Sequence, residues 1–523
     1  MLVLLVAIIY LGIVTASRSC LPLVINVSTP VHITGPYFAS WTIDPSRNRL
    51  FFDVNFSDPR LQYLAREIGG TGLIRFGGGG ADSLTYGGFG GLPSCDSPQP
   101  YEYECLNKST LDALVALSNY SGNRLIFGLD IVPLGGPPPG PPTGPWDPTA
   151  ARGVLEYLRD AQAPLFGVEL GNERNHHGFT PAQQSACFDA LSELLREIWP
   201  APLRPALIGP DADGAGNGPP GEMITYLAQF VQLQGGGGAL SAMTHHEYLQ
   251  VDSTSVLNAS YLDHTGEIAQ AVVSGVRAVS PSLPIWAGEI GPHTGNSAGN
   301  GSAGNCSDNK LCGRFGSSIW YADSMSAKAR AGYDAYFRQD LVGASYALVN
   351  TSIPTLPPPA SFVGGFSPSS DYYLLYLWKR LVGARVLDVS TAAGGVEPTT
   401  RAYAFCTLSS WQPPSGGGGA SPPSVTLILI NIDPLATACL AIPSFVPPSA
   451  SLTYFTLTAG EAGEGVQSWG VRLNGKLLQL TANGTLPDLS GKVVPAGQEG
   501  GIFLPPLSVS FVVVPGGGAL SAC

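Results

Sequence analysis

Two short stretches place carboxylates where an apolar run stops. In Phe166–His177, FGVELGNERNHH, the run Leu165–Leu170 starts after Pro164 and breaks off at Gly171-Asn172-Glu173. In Pro284–His293, PIWAGEIGPH, a second apolar run ends in Glu289 and a Gly-Pro turn. A buried parallel strand has this texture when it delivers polar groups at its carboxyl end. One Asn-Glu pair alone is weak, because such pairs more often lie in solvated turns or at helix starts. Two strands of the same build point to paired carboxyls, and paired carboxyls suit glycoside hydrolysis. There one protonated group gives the leaving oxygen its proton while a second stays ionised. When the two lie about 5–5.5 Å apart, the second attacks the anomeric carbon and configuration is retained. On this reading Glu173 is the acid/base and Glu289 the nucleophile. Asn172 then holds the sugar 2-OH or the glutamate, a contact that gains strength in the transition state.

Such carboxylates meet when both strands open into one mouth, as in a (β/α)8 TIM barrel, where the C-terminal strand ends share the active site. The 116 positions between Glu173 and Glu289 leave room for two βα units, putting the glutamates on the fourth and seventh strands. The other strands are expected at Pro36–Asp44, Gly72–Gly77, Arg124–Asp130, Ala206–Gly209, Ala239–Tyr248 and Ala344–Val349. Helices are expected over Arg60–Ile68, Thr110–Ser118 and Ala150–Gln162. Another starts at Thr180-Pro-Ala-Gln183, which offers an N-cap, a first-position proline and the glutamine of a capping box. Asp82 lies in the glycine-rich loop after the second strand, touching substrate or capping a turn. That loop lacks the context of a phosphate cradle. His245 and His246 end the sixth strand; neighbours on a strand face opposite ways and no third ligand is apparent. A hydrogen bond to a catalytic carboxylate or to substrate is therefore the better reading for one of them. No metal and no cofactor are expected, since none of the nine cysteines has CxxC spacing.

Beyond about Leu381 the texture changes to short strands and turns, at Thr426–Ile432, Leu452–Leu457, Val471–Leu480 around Asn474-Gly475, and Ser508–Val514. These read as an antiparallel β-sandwich. The expected organisation is a signal peptide over residues 1–17, a barrel over 18–380 whose first residues are free to join the sandwich, and the sandwich over 381–523.

Charged residues are only 12% of the chain and the formal charge is −12, with no basic run. A surface built for nucleic acid or another polyanion needs clustered Lys and Arg, so that class is excluded. Leu2–Val14 resembles the apolar core of a signal peptide without a positive start, and is short for a membrane span. Cleavage or retention as an anchor, with peripheral membrane contact, stays open. Nine N-x-S/T sequons and nine cysteines fit a secreted protein or a lysosomal or vacuolar lumen. The odd cysteine count leaves one thiol free, or is resolved by processing near Cys20. Oligomeric state is not legible.

Taken in order, the motifs WTID (Trp41–Asp44), LIRFGG (Leu73–Gly78) with Asp82, VELGNE (Val168–Glu173), IGPD (Ile208–Asp211), His245-His246, IWAGE (Ile285–Glu289) and LWKRLVGARVL (Leu377–Leu387) resemble those of heparanase and the related β-glucuronidases. So do LNGK (Leu473–Lys476) and TLPDL (Thr485–Leu489). The resemblance covers most of the chain and implies a retaining glycoside hydrolase, barrel plus sandwich, acting on glucuronic-acid-containing glycans. It implies Glu173 as proton donor and Glu289 as nucleophile. It also implies that Tyr346 and the backbone at Gly295 meet the uronate carboxylate, that Asp44 lines the cleft, and that Cys406 pairs with Cys523. Asn296 stands where the family's loop has another glycine. Cys95 with Cys105, and Cys306 with Cys312, are further candidate pairs.

The chain also departs from the family. Glu247 follows the two histidines, where the mammalian enzyme has a tyrosine near the nucleophile, and Tyr248 comes one place later. Unless the strand is bulged, a third carboxylate or a lost hydrogen bond changes the setting of Glu289. The basic residues that the mammalian enzyme uses for sulfated chains are largely absent after Pro210-Asp211, and its long excised linker has no counterpart. Less sulfated glucuronosides are the expected substrates, with endo or exo action open. Two rivals stand: a barrel glycosidase for a neutral sugar, which Tyr346 and the loop after Glu289 argue against, and a non-catalytic heparanase-like glycan-binding protein, which Glu247 leaves room for.

Overall fold

Eight parallel strands close into a barrel: β1 (Ala39–Ile43), β2 (Leu73–Phe76), β3 (Arg124–Leu129), β4 (Leu165–Leu170), β5 (Ala206–Asp213), β6 (Ala242–Tyr248), β7 (Ile285–Gly291) and β8 (Ala335–Arg338). Each pairs with its neighbours in sequence, and β8 closes on β1. The computed structural model describes residues 20–46, 51–97, 104–132, 144–214, 220–293, 311–351, 365–390, 399–413, 423–516 and 520–523. The signal-like segment 1–17, Gly295 with Asn296, and Cys306 lie outside these residues. Helices α1 (Pro59–Glu67), α2 (Lys108–Ser121), α3 (Thr149–Asp160), α4 (Pro181–Ile198), α5 (Pro220–Leu233), α6 (Ala259–Val279), α7 (Phe315–Ala331) and α8 (Ser370–Leu381) follow the strands in turn. At the start of α4, Thr180 accepts from the Gln183 amide while Gln183 reaches back, a complete capping box. Among the described residues no helix is long and apolar enough to cross a membrane.

Inside the barrel, Leu73, Ile126, Ile208, Ala242, Trp286, Ala335 and Phe337 form one apolar plug. It fills the barrel interior, so polar groups converge only beyond it, at the C-terminal strand ends. Outward residues of the same strands pack under the helices in a single large core.

The eighth strand corrects the sequence reading. It is Ala335–Arg338, not the apolar run Ala344–Val349, most of which is turn before a hairpin of Val349–Thr351 with Phe366–Pro368. A four-residue strand carrying an arginine has little apolar signature. Arg338 is tolerated there because Asp371 (2.5 Å) and the Tyr346 carbonyl (3.0 Å) accept from its guanidinium.

A nine-stranded antiparallel sheet lies against the barrel. Its strands Val382–Leu387, Thr400–Thr407, Ser424–Asn431, Ser508–Pro515 and Ser451–Ala459 run side by side in that order. Alternate residues face two ways: Ile428, Ile430, Phe511 and Val513 join the barrel's core, while Leu427, Leu429, Val512 and Val514 pack with Leu23, Leu440, Ile502 and Leu504. His32–Ile33, ahead of β1, pairs with Val382–Leu387 and forms the edge of the sheet. Asn474-Gly475, both at positive φ, turn the hairpin of Val471–Leu473 with Lys476–Leu477. Disulfides join Cys406 to Cys523, Cys95 to Cys105 and Cys20 to Cys439, and Cys187 is a buried free thiol.

Candidate active site

Glu173 and Glu289 come together at the barrel mouth with His246 between them. One oxygen or nitrogen from each lies within 4.8 Å of the others. Each arrives by a local departure from regular strand geometry. After β4, Gly171 at φ +77 turns the chain, and a Cβ there would lie 2.8 Å from Ile131 and Arg174 side-chain atoms. Glu173 itself takes a left-handed φ of +52, uncommon for a non-glycine residue and found where the surroundings impose it. In β7 the pairing with β6 runs from His245↔Ala287 to His246↔Glu289 and skips Gly288. That extra residue is a bulge, and bulges re-aim side chains. Ala287 and Ile290 both stay in the outer core, leaving Glu289 to face inward. Gly288 fits there because a Cβ would sit only 3.1 Å from Thr244 and 3.2 Å from Asp211.

Arg75 of β2, buried in the mouth, organises the floor. Its Nε donates to Glu169 at 2.7 Å, Nη1 to Glu289 at 2.8 Å and Nη2 to Asn172 Oδ1 at 3.1 Å, with Asp211 3.4 Å away. The Tyr248 hydroxyl donates to the other oxygen of Glu289. The nucleophile candidate is thus fixed from two sides. His246 lies 2.9 Å from Glu173 through Nδ1, 3.3 Å from Asp211 through Nε2 and 3.9 Å from Glu289. The Glu173 side chain keeps 26% of its surface exposed, so it faces the open cleft rather than the floor.

The charges explain the protonation. Burial alone would strip His246 of its proton, but the Glu289 charge and the hydrogen bonds to Asp211 and Glu173 win and hold it up to about 10. Burial pushes Glu169 up to about 8 against the pull of Arg75, with the Asp211 charge adding to the rise. Burial would raise Asp211 too, yet Arg75 and His246 hold it well below the usual carboxylate range. Glu173, His246 and Glu289 lie close enough together to hold a cation and equally to share a proton. The donor set fits a proton held between carboxylates.

The remaining expected residues separate. Asn172 sits in the site, its backbone N–H donating to Asp82 at 2.8 Å. Asp82 is buried and also accepts from Ile131 N (3.5 Å) and Arg174 (3.4 Å), and so ties the loops after β2, β3 and β4 together. Of the two histidines, His246 is the one at the carboxylates, and His245 faces away from the mouth with Nε2 2.7 Å from the Tyr333 hydroxyl. Burial, helped by the Lys328 charge, pushes it down to about 3 and leaves it neutral. Asp44 is buried and accepts from Gly80 N at 3.2 Å. Tyr346 reaches the site from the turn after β8: its ring is 5.0 Å from His293, and it clusters with Tyr248 and Ala344. Glu247 is no third catalytic carboxylate. Both its oxygens lie 2.8 Å from Lys328 Nζ on α7, behind the barrel wall.

Sequence reasoning missed Arg75, Glu169, Asp211 and Tyr248 as site residues. The signal for the first two was a charged residue alone inside an apolar strand, LIRF and LFGVEL.

A family model, "Glycosyl hydrolase family 79, N-terminal domain", matches residues 95–326. The chain is 27% identical to chicken heparanase over 569 aligned positions, covering 98% of both chains. These matches support a protein of the heparanase/β-glucuronidase family of glycoside hydrolases. A plant relative, baicalin-β-D-glucuronidase of Scutellaria baicalensis, is 25% identical over 90% of this heparanase-like chain and 86% of its own. Among solved structures, a 4-O-α-L-rhamnosyl-β-D-glucuronidase from Fusarium oxysporum matches the fold with a TM-score of 0.58 at 16% identity, over 95% of this chain and 99% of the other.

Proposed function

We propose that this glycoside hydrolase cleaves β-glucuronosidic bonds in glucuronic-acid-containing glycans, by double displacement with retention. The reading rests on one observation above others: two carboxylates within 4.8 Å, one clamped from both sides and the other open to the cleft. That separation suits direct attack and leaves no room for the water an inverting enzyme places between its carboxyls. Glu289, oriented by Arg75 and Tyr248, attacks the anomeric carbon as Glu173 gives the leaving oxygen its proton. Water, deprotonated by Glu173, then cleaves the glycosyl ester. His246 holds a proton one hydrogen bond from Glu173, and Asn172, fixed by Arg75, faces the sugar 2-OH. For the uronate preference, the support is the named activity of the relatives and the aromatic cluster of Tyr346 beside the nucleophile's tyrosine. The absence of Lys and Arg between Arg204 and Arg277, a span that includes β5 and β6, favours a weakly sulfated or unsulfated partner sugar. The disulfides favour a secreted or lumenal protein.

A matched set of aryl β-glycosides tests the reading. Turnover of the glucuronide over glucoside, galactoside and xyloside, abolished in Glu289→Gln, is the expected result. Turnover of a neutral sugar alone would sink the uronate assignment.

A further inference from the structure

The inward and outward faces of β6 do different jobs. Thr244, His246 and Tyr248 point into the mouth, where they hold the Asp211 amide, Glu173 and Glu289. His245 and Glu247 point outward, to Tyr333 and to Lys328 of α7. Because side chains alternate with period two, whatever fixes the outward residues also fixes the phase of the inward ones. Glu247 lies between His246 and Tyr248, the two residues of β6 that reach the catalytic pair. It is 1% exposed, Lys328 is fully buried, and both carboxylate oxygens lie 2.8 Å from the ammonium. The Lys328 ammonium also lies 5.6 Å from the centre of the Tyr333 ring, whose hydroxyl holds His245. The outward face is therefore pinned at two successive points by α7 and the chain just after it.

A buried ion pair is weak evidence for stability as such, since an apolar pair of similar volume often serves equally well. Its placement gives it another use. We propose that the Glu247–Lys328 ion pair is a positioning element for the nucleophile, holding β6 against α7 so that Tyr248 stays on Glu289. The pair touches no substrate and acts through Tyr248. This inference rests on Glu289 being the nucleophile, and its test separates the two claims.

Glu247→Leu/Lys328→Met removes both charges without leaving one unpaired. It is expected to keep a melting temperature near that of the parent, to lose at least tenfold in kcat on an aryl glucuronide, and to leave KM within about twofold. In a Tyr248→Phe background the same double change is expected to cost less than twofold, because the bond it protects is already gone. Parental kcat in the double variant, or a full tenfold loss repeated in the Tyr248→Phe background, overturns the proposal. If the apolar pair does not fold, the charge-reversed Glu247→Lys/Lys328→Glu is judged by the same two comparisons. A crystal structure of the folded variant reads the geometry without any substrate. A Tyr248 hydroxyl still on Glu289 refutes the positioning role, whereas a displaced hydroxyl with no parental glucuronidase activity upholds the pair and sinks the substrate reading instead.

Discussion

Arg75→Lys isolates what the guanidinium does in the mouth. Arg75 reaches Glu169, Glu289 and Asn172 at 2.7, 2.8 and 3.1 Å through three different nitrogens. Lysine keeps the charge but has a single nitrogen on a flexible stem, so it cannot span those acceptors. At least one charge-assisted bond is lost, and each such bond contributes about 1.5–3 kcal/mol. If the loss falls on the Glu289 side, about 2–3 kcal/mol of transition-state positioning goes with it. At 1.36 kcal/mol per tenfold, that corresponds to a roughly 30- to 150-fold fall in kcat. KM should move little, because the guanidinium lies on the floor behind the glutamate. Arg75→Met is a harsher change. It leaves Glu169, Asp211 and Glu289 without their cation and should destabilise by about 3–5 kcal/mol. Steady-state kinetics on an aryl glucuronide, together with chemical denaturation, gives both numbers. A folded Arg75→Lys protein within threefold of the parental kcat would refute the claim that Arg75 orients the nucleophile.

Three further outcomes are expected. Glu173→Gln should lose about 10²–10⁴-fold on glucuronides with poor leaving groups, yet spare the first step for very good ones, which a leaving-group series measures by pre-steady-state burst. Thermal stability should fall between pH 6.5 and pH 9. His246, raised to about 10 in the folded state, contributes stability fully below 6.5 and loses it as pH climbs toward 10, and Glu169, raised to about 8, loses its share up to that value. Lys379, lowered to about 7 by burial and the Arg380 charge, works the other way, so a stability rising across that window would contradict the dominance of the His246 cluster. Cys406→Ser opens a bridge between positions 117 apart and should cost about 2–5 kcal/mol in denaturant titration, with activity retained at 25 °C in the folded fraction.

Much of the scaffold was legible where strand and helix signals were strong. The β4 bounds Leu165–Leu170 and the Thr180 capping box follow from local chemistry alone. The eighth strand was not, because four residues containing Arg338 carry less apolar signal than the turn segment Ala344–Val349 beyond them. In the mouth, Glu173 and Glu289 stood out as carboxylates at strand ends. Arg75 did not, since nothing in LIRF says which carboxylates lie across the barrel from it. The Gly288 bulge was equally hidden. A glycine before a glutamate has many explanations, and only the pairing with β6 reveals that it turns Glu289 inward. The same pairing settles Glu247, whose charge suggested interference with Glu289 but whose side chain lies on the other face of β6.

Retention by double displacement requires Glu289 to form a covalent bond to the sugar. Incubation with a 2-deoxy-2-fluoro-β-glucuronide bearing a good leaving group, followed by peptide mass spectrometry, tests it most directly. Time-dependent inactivation and a fluoroglucuronosyl adduct on Glu289 are the expected results. An adduct on Glu173, or turnover of an ordinary aryl glucuronide with inverted configuration at the anomeric carbon, would contradict it.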